Sequence, residues 1–182
     1  MLYLITGGVR SGKSRLAERL ARHISGEAVT YIATLQAADE EMRRRVRRHQ
    51  AQRPASWETL ELGTDLNALK PAHATLLLDC LSGFVSNKLL EREADGEEAA
   101  LTAVAAGVEE LLSLLYQEDR TVIIVTNEVG AGVVPPYPLG RWFRDALGLA
   151  NQAAARRANA VALVTVGIPQ LLKGDFPERF DA

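Results

Sequence analysis

Short runs of apolar, β-favouring residues alternate along this chain with longer segments in which apolar residues return every three or four positions. The runs at Leu2–Thr6, Val29–Thr34, Thr75–Asp79, Thr121–Thr126 and Val161–Val166 are rich in Val, Ile, Leu and Thr at successive positions, so both faces of each strand are apolar. Such strands belong in a sheet covered on both sides. One predicted helix carries Leu16, Ala17, Leu20, Ala21 and Ile24 on a stripe, and a second carries Leu101, Val104, Val108, Leu111, Leu112 and Leu115. A third runs from about Leu139 to Ala158, with Trp142, Phe143, Ala146, Leu149, Ala150 and Ala153 at helical spacing. This alternation predicts an α/β domain with a mostly parallel sheet and ligands at the carboxyl ends of its strands. Arg53–His73 and Gly130–Gly140, each punctuated by prolines, read as the long loops where functional residues concentrate.

Composition narrows the class without changing that picture. The 182 residues suit a single domain, 1–182, and 47% hydrophobic with 24% charged residues is ordinary for a globular chain. A net charge of −2 gives no global reason to bind nucleic acid or an anionic membrane. The lone Cys80 has no intrachain disulfide partner, and His23, His49, His73 and Cys80 lack metal-ligand spacing. The apolar run at the N-terminus is short and without a basic leader, and no stretch approaches a membrane span, so a cytoplasmic location is expected.

Gly7-Gly8-Val9-Arg10-Ser11-Gly12-Lys13-Ser14 fits G-x-x-x-x-G-K-[ST] between a predicted strand and an amphipathic helix. In that context backbone N–H groups and the helix N-terminus cradle phosphates, Lys13 reaches the β- and γ-phosphates, and the Ser14 hydroxyl can ligate Mg²⁺. The competing reading is a glycine-rich turn with an incidental lysine. A P-loop works with an acid at the end of a neighbouring strand, and Asp79 and Glu128 both qualify. Either could instead cap a following helix or pair with an arginine.

Asp39 to Gln50 reads as one helix holding five arginines between Arg43 and Arg48, more than Asp39 and Glu40 can neutralise through i,i+4 pairs. Met42, Val46 and His49 fall on its apolar seam. His49 is then either a partly buried polar residue near a helix C-terminus or a nucleophile for phosphorus, kept unprotonated by its cationic neighbours. Periodicity alone does not choose.

Taken in order, these residues closely resemble the bifunctional adenosylcobinamide kinase/adenosylcobinamide-phosphate guanylyltransferase family. The resemblance runs from Leu4 to about Gly174. It rests on the Thr6–Ser14 opening, Tyr31-Ile32-Ala33-Thr34, the helix ending in His49 with Arg53-Pro54, Trp57 and Glu61 behind it, and Leu78-Asp79-Cys80-Leu81 with Asn87. Thr126-Asn127-Glu128-Val129-Gly130 and Leu139-Gly140-Arg141 through Asp145 to Asn151-Gln152 complete it. It implies a P-loop NTPase fold with a RecA-like, mostly parallel sheet flanked by helices. It also implies phosphorylation of adenosylcobinamide by ATP or GTP, then transfer of GMP from GTP through a guanylylated His49 to the cobinamide phosphate. Nucleotide contacts would fall on Gly7 to Ser14, on Thr34, Leu35 and Gln36, on Gln50, Ala51, Gln52 and Arg53, and on Glu61 and Asp79. Lys13 and His49 would be catalytic, Ser14 and Asp79 would hold Mg²⁺, and the assembly would be a homotrimer. The end from Asp175 to Ala182 lies outside the resemblance and has no assigned role.

Two other readings remain open on the residues alone. One is a different P-loop kinase whose arginine helix clamps phosphate; the other is a RecA-like ATPase using Arg43–Arg48 on nucleic acid. Only 5% of the residues are aromatic, which leaves little for base stacking and disfavours the second.

Overall fold

The computed structural model describes residues 1–35 and 54–180. Among these residues seven strands form one sheet: β1 (Leu2–Gly7), β2 (Val29–Ala33), β3 (Glu58–Glu61), β4 (Thr75–Asp79), β5 (Thr121–Val125), β6 (Ala160–Thr165) and β7 (Ile168–Lys173). Their spatial order is β3-β2-β4-β5-β1-β6-β7, parallel throughout except for β7, which runs antiparallel to β6. Among the described residues four α-helices flank the sheet: α1 (Lys13–Ser25), α2 (Leu81–Glu91), α3 (Glu97–Leu115) and α4 (Pro138–Arg157). The mostly parallel α/β architecture and its five central strands match the reading of the sequence to within one residue at each end. Among the described residues no helix is long and apolar enough to cross a membrane.

Alternation along each strand divides the core in two. Leu2, Leu4, Leu76, Leu78, Val122 and Ile124 face α2, α3 and α4, while Tyr3, Ile5, Leu77, Ile123 and Val125 face α1. All eleven are at most 5% exposed, so neither face of the central sheet meets water. Burial of this kind makes a Leu→Ala change in a central strand cost about 2–5 kcal/mol.

Three features depart from expectation. The proline-flanked stretch read as loop holds β3, whose Glu-Thr-Leu-Glu sequence carries no apolar run because it forms the sheet edge. Strand β7 was hidden likewise: Ile168, Leu171 and Leu172 are exposed, and its hairpin turns through Val166 and Gly167, both at positive φ. Leu149, placed on the buried stripe of α4, is 59% exposed because it lies on the flank of that helix, lining a cleft shared with α3. The segment after Gly174 also packs: Phe176 lies 6.4 Å from Tyr3 and 5.3 Å from Phe180, whose ring sits 5.4 Å from His23 on α1.

Candidate active site

The register places Ala33, Asp79, Val125 and Ile5 side by side across β2, β4, β5 and β1, so their carboxyl ends form one rim. The turn from β1 to α1 projects from that rim. Within it Ser11 N donates to Gly8 O at 3.3 Å and Leu16 N to Gly12 O at 3.0 Å. Gly12 adopts φ 98°, a left-handed conformation that suits glycine, and a Cβ there would lie 3.3 Å from Gly167 Cα. Gly12 supplies no side chain to cap α1, so the first N–H groups of the helix face outward as an anion site. Two neighbours brace the turn: Gly167 N donates to Ser11 O at 2.8 Å and Glu128 N to Gly7 O at 3.1 Å. Gly8, Val9 and Arg10 are exposed at its mouth, Ser11 is buried, and Ser14 is half-buried on the first turn of α1.

Lys13 folds across this turn, its Nζ donating to Gly8 O at 3.0 Å. Burial lowers its pKa, with Cys80 and Asp79 acting in the opposite direction. The Cys80 thiol is itself pushed up by burial, with Asp79 adding to the rise, and stays neutral near pH 7. The compensating charge beside Lys13 is therefore the Asp79 carboxylate. A half-buried ammonium held near one carboxylate and above an uncapped helix is poised for polyphosphate. Asp79, at the end of β4, accepts from the Tyr31 hydroxyl at 2.9 Å through Oδ2. It does not cap α2; that position belongs to Cys80. A serine hydroxyl on α1 and a strand-end carboxylate are the oxygen donors that a nucleotide-bound Mg²⁺ takes, so Ser14 and Asp79 fit that ion.

Beneath the rim runs a set of hydrogen bonds that the sequence does not announce. The Thr34 hydroxyl donates to Cys80 O at 2.6 Å and accepts from Cys80 N at 3.0 Å, tying the end of β2 to the end of β4. Asn87 Nδ2 donates to Thr34 O at 2.8 Å, and Gly83 permits the approach, since a Cβ there would collide with Thr34 Oγ1. Asn127 Nδ2 donates to Ser82 Oγ at 2.9 Å, the Thr126 hydroxyl donates to Asn151 Oδ1 at 2.7 Å, and Asn151 Nδ2 donates to Asn127 O at 3.0 Å. Thr34 is thus buried and committed, while Leu35 beside it is exposed. Glu61 is exposed at the end of β3, on the same rim. The Glu128 carboxylate accepts from Gly130 N at 2.5 Å, closing a turn at the end of β5. Gln36, His49, Gln50, Ala51, Gln52 and Arg53, with the helix expected at Asp39–Gln50, lie outside the described residues.

A phosphate cradle with a strand-end carboxylate is shared by many nucleotide enzymes, and the comparison with known families decides among them. The model of the cobinamide kinase / cobinamide phosphate guanyltransferase family matches residues 3–172. The chain belongs to this family. The Bifunctional adenosylcobalamin biosynthesis protein CobP of Pseudomonas aeruginosa is 45% identical over 179 residues, 94% of this chain and 97% of that protein. The proteins called Bifunctional adenosylcobalamin biosynthesis protein CobU from Escherichia coli and Salmonella typhimurium are 39% and 40% identical, each over 95% of this chain and 100% of their own length. Among solved structures, the flagellar accessory protein FlaH of Methanocaldococcus jannaschii aligns with TM-score 0.48 at 14% identity, over 96% of this chain and 78% of that one. As a member of the family, this chain is a bifunctional enzyme, a cobinamide kinase and a cobinamide phosphate guanylyltransferase. Both activities transfer a phosphorus group from a nucleotide, which is the task a P-loop with an opposed lysine is built for.

Proposed function

We propose that one P-loop serves both reactions, using ATP or GTP in the first and GTP in the second, with His49 as the covalent carrier of GMP. The observation that carries the reading is Lys13, half-buried at the uncapped start of α1 with its Nζ on Gly8 O, and near enough to Asp79 for that carboxylate to raise its pKa. In the kinase step the hydroxyl of the aminopropanol arm attacks the γ-phosphorus; the bond to the β-phosphate oxygen breaks and the hydroxyl proton passes to a base. Glu128 is a candidate for that base, since its backbone already rests on Gly7. In the second step an imidazole nitrogen of His49 attacks the α-phosphorus of GTP, forming a P–N bond as pyrophosphate leaves. A phosphate oxygen of cobinamide phosphate then attacks the same phosphorus, the P–N bond breaks, and adenosylcobinamide-GDP is released.

The residues divide this work by charge. The N–H groups of Gly8 to Ser14 bind phosphate oxygens, Lys13 meets the charge that develops on the leaving group, and Arg43 to Arg48 and Arg53 are available to the α-phosphate. Ser14 and Asp79 would hold Mg²⁺, which neutralises phosphate charge when bound. His49 is the histidine of the arginine-rich segment that follows β2 in the chain, and β2 ends at Ala33 beside Asp79. We place the enzyme in the cytoplasm, where its nucleotide substrates are, and take it to act as a homotrimer on a corrinoid, without nucleic acid.

The test separates the two activities. Lys13→Ala is expected to lower both by about 100-fold or more, in line with the loss of a transition-state cation. His49→Ala is expected to abolish GMP transfer and to leave cobinamide phosphorylation within a few-fold of wild type. Equal loss of both activities in the two variants would remove the division of labour.

A further inference from the structure

Tyr31 carries a hydroxyl where the core asks only for a ring. Alternation along β2 turns Val29 and Tyr31 to the α1 face of the sheet, and along β4 it turns Leu77 and Asp79 the same way. Tyr31 stands opposite Leu77 and Ala33 opposite Asp79, so Tyr31 and Asp79 are diagonal neighbours, a spacing that an aromatic side chain spans. The tyrosine is 4% exposed and belongs to the same buried cluster as Leu20, Leu77 and Ile123. A phenylalanine has the same ring, and a buried phenol needs a partner that phenylalanine does not.

That partner is the strand-end carboxylate. The Tyr31 hydroxyl donates to Asp79 Oδ2 at 2.9 Å. The backbone beneath is held as well: Thr34 N donates to Asp79 O at 3.3 Å, and the Thr34 hydroxyl joins both backbone groups of Cys80, the next residue. With its main chain and Oδ2 both fixed, the carboxylate has a set orientation. Among the described residues Asp79 Oδ1 has no hydrogen-bond partner. The carboxylate is close enough to Lys13 to raise the pKa of that lysine, which puts it beside the P-loop.

A carboxylate with one oxygen committed offers a cation the other. Mg²⁺ demands near-ideal octahedral geometry and is bound through one or two carboxylates with substrate phosphates and water, whereas Ca²⁺ also accepts a carboxylate through both oxygens. Groups that hold a metal ligand from behind commonly change metal affinity by about 10–100-fold. We propose that Tyr31 positions Asp79 for Mg²⁺, holding Oδ2 so that Oδ1 alone is offered, and thereby biases the site against Ca²⁺. The inference rests on the reading in which Asp79 holds Mg²⁺. Tyr31 is a positioning residue and is assigned no contact with the nucleotide or the acceptor.

The test uses Tyr31→Phe in the full chain, which keeps the ring and removes the hydroxyl; a far-ultraviolet spectrum and a melting curve check the fold. The probe is α,β-methylene-GTP, in which attack at the α-phosphorus cannot expel pyrophosphate. Its binding is measured by equilibrium dialysis in EDTA and then at rising free Mg²⁺ or Ca²⁺. In EDTA the variant is expected to bind the nucleotide as the wild type does. The free Mg²⁺ needed for half of the metal-dependent gain in affinity is expected to rise about tenfold or more, and the Ca²⁺ needed by a smaller factor. In an Asp79→Asn background Tyr31→Phe is expected to change nothing further, which a merely structural role of the hydroxyl would not produce. An unchanged Mg²⁺ requirement in Tyr31→Phe, equal weakening of Mg²⁺ and Ca²⁺, or a full Tyr31→Phe effect in the Asp79→Asn background would overturn the proposal while leaving Asp79 as the ligand. A Mg²⁺ requirement unaltered by Asp79→Asn alone would remove Asp79 from the metal, and the proposal with it.

Discussion

Two side chains at the rim show how function and stability oppose each other at single positions. Lys13 carries a charge that burial disfavours, so its pKa lies below the usual lysine value of 10.5. A depressed lysine means that the unfolded chain binds more protons than the folded one between the two pKa values, so stability rises as pH climbs through that alkaline window and the charged form is penalised below it. Lys13→Met is therefore expected to keep or raise the melting temperature of the ligand-free protein, lose the alkaline rise, and lose stabilisation by GTP. A fall of several degrees in the ligand-free variant would contradict this. Thr34 is the reverse case, since its hydroxyl serves both backbone groups of Cys80. Thr34→Val leaves the Cys80 N–H unpaired in a dry site, while Cys80 O keeps the N–H groups of Gly83 and Phe84, and is expected to cost about 1–3 kcal/mol in urea unfolding. The places of the P-loop residues, Asp79 and Glu128 were legible because a short motif and the ends of apolar strands mark them. The work of Thr34 was not: its partner, Cys80, is 46 residues away, and no local pattern encodes a side chain bonded to a distant backbone.

At the scale of elements, legibility followed burial. Five strands with apolar residues on both faces could be read almost to the residue, because a covered strand permits little else. Edge strands β3 and β7 could not, since an exposed edge imposes no apolar pattern, and α2 escaped because Gly83 and Ser82 are buried beside Phe84 and blur its stripe. The segment after Gly174 had no reading at all. It nonetheless lays two phenylalanines on the α1 face of the sheet, with Arg19 5.7 Å above the Phe180 ring. Phe176→Ala is expected to destabilise by about 1–2 kcal/mol, less than the full burial value because the ring is partly exposed. Equal melting curves for this variant and the wild type would show the contact to be dispensable.

At the scale of the whole molecule, the proposal puts two transfers on a single rim. One sheet places the P-loop after β1 and Asp79 at the end of β4, and the arginine-rich segment with His49 follows β2 in the chain. The near-neutral chain of 182 residues holds five arginines between Arg43 and Arg48, the cations that the two proposed reactions would use. The central claim is that the phosphorus group of the second reaction pauses on His49. Incubating the protein with GTP labelled at the α-phosphorus, without corrinoid, and quenching in alkali tests it directly. The wild type is expected to retain about one label per active site, stable to alkali and released by acid as a phosphoramidate is, and His49→Ala is expected to retain none; no label on the wild type, or label surviving in His49→Ala, would contradict the account.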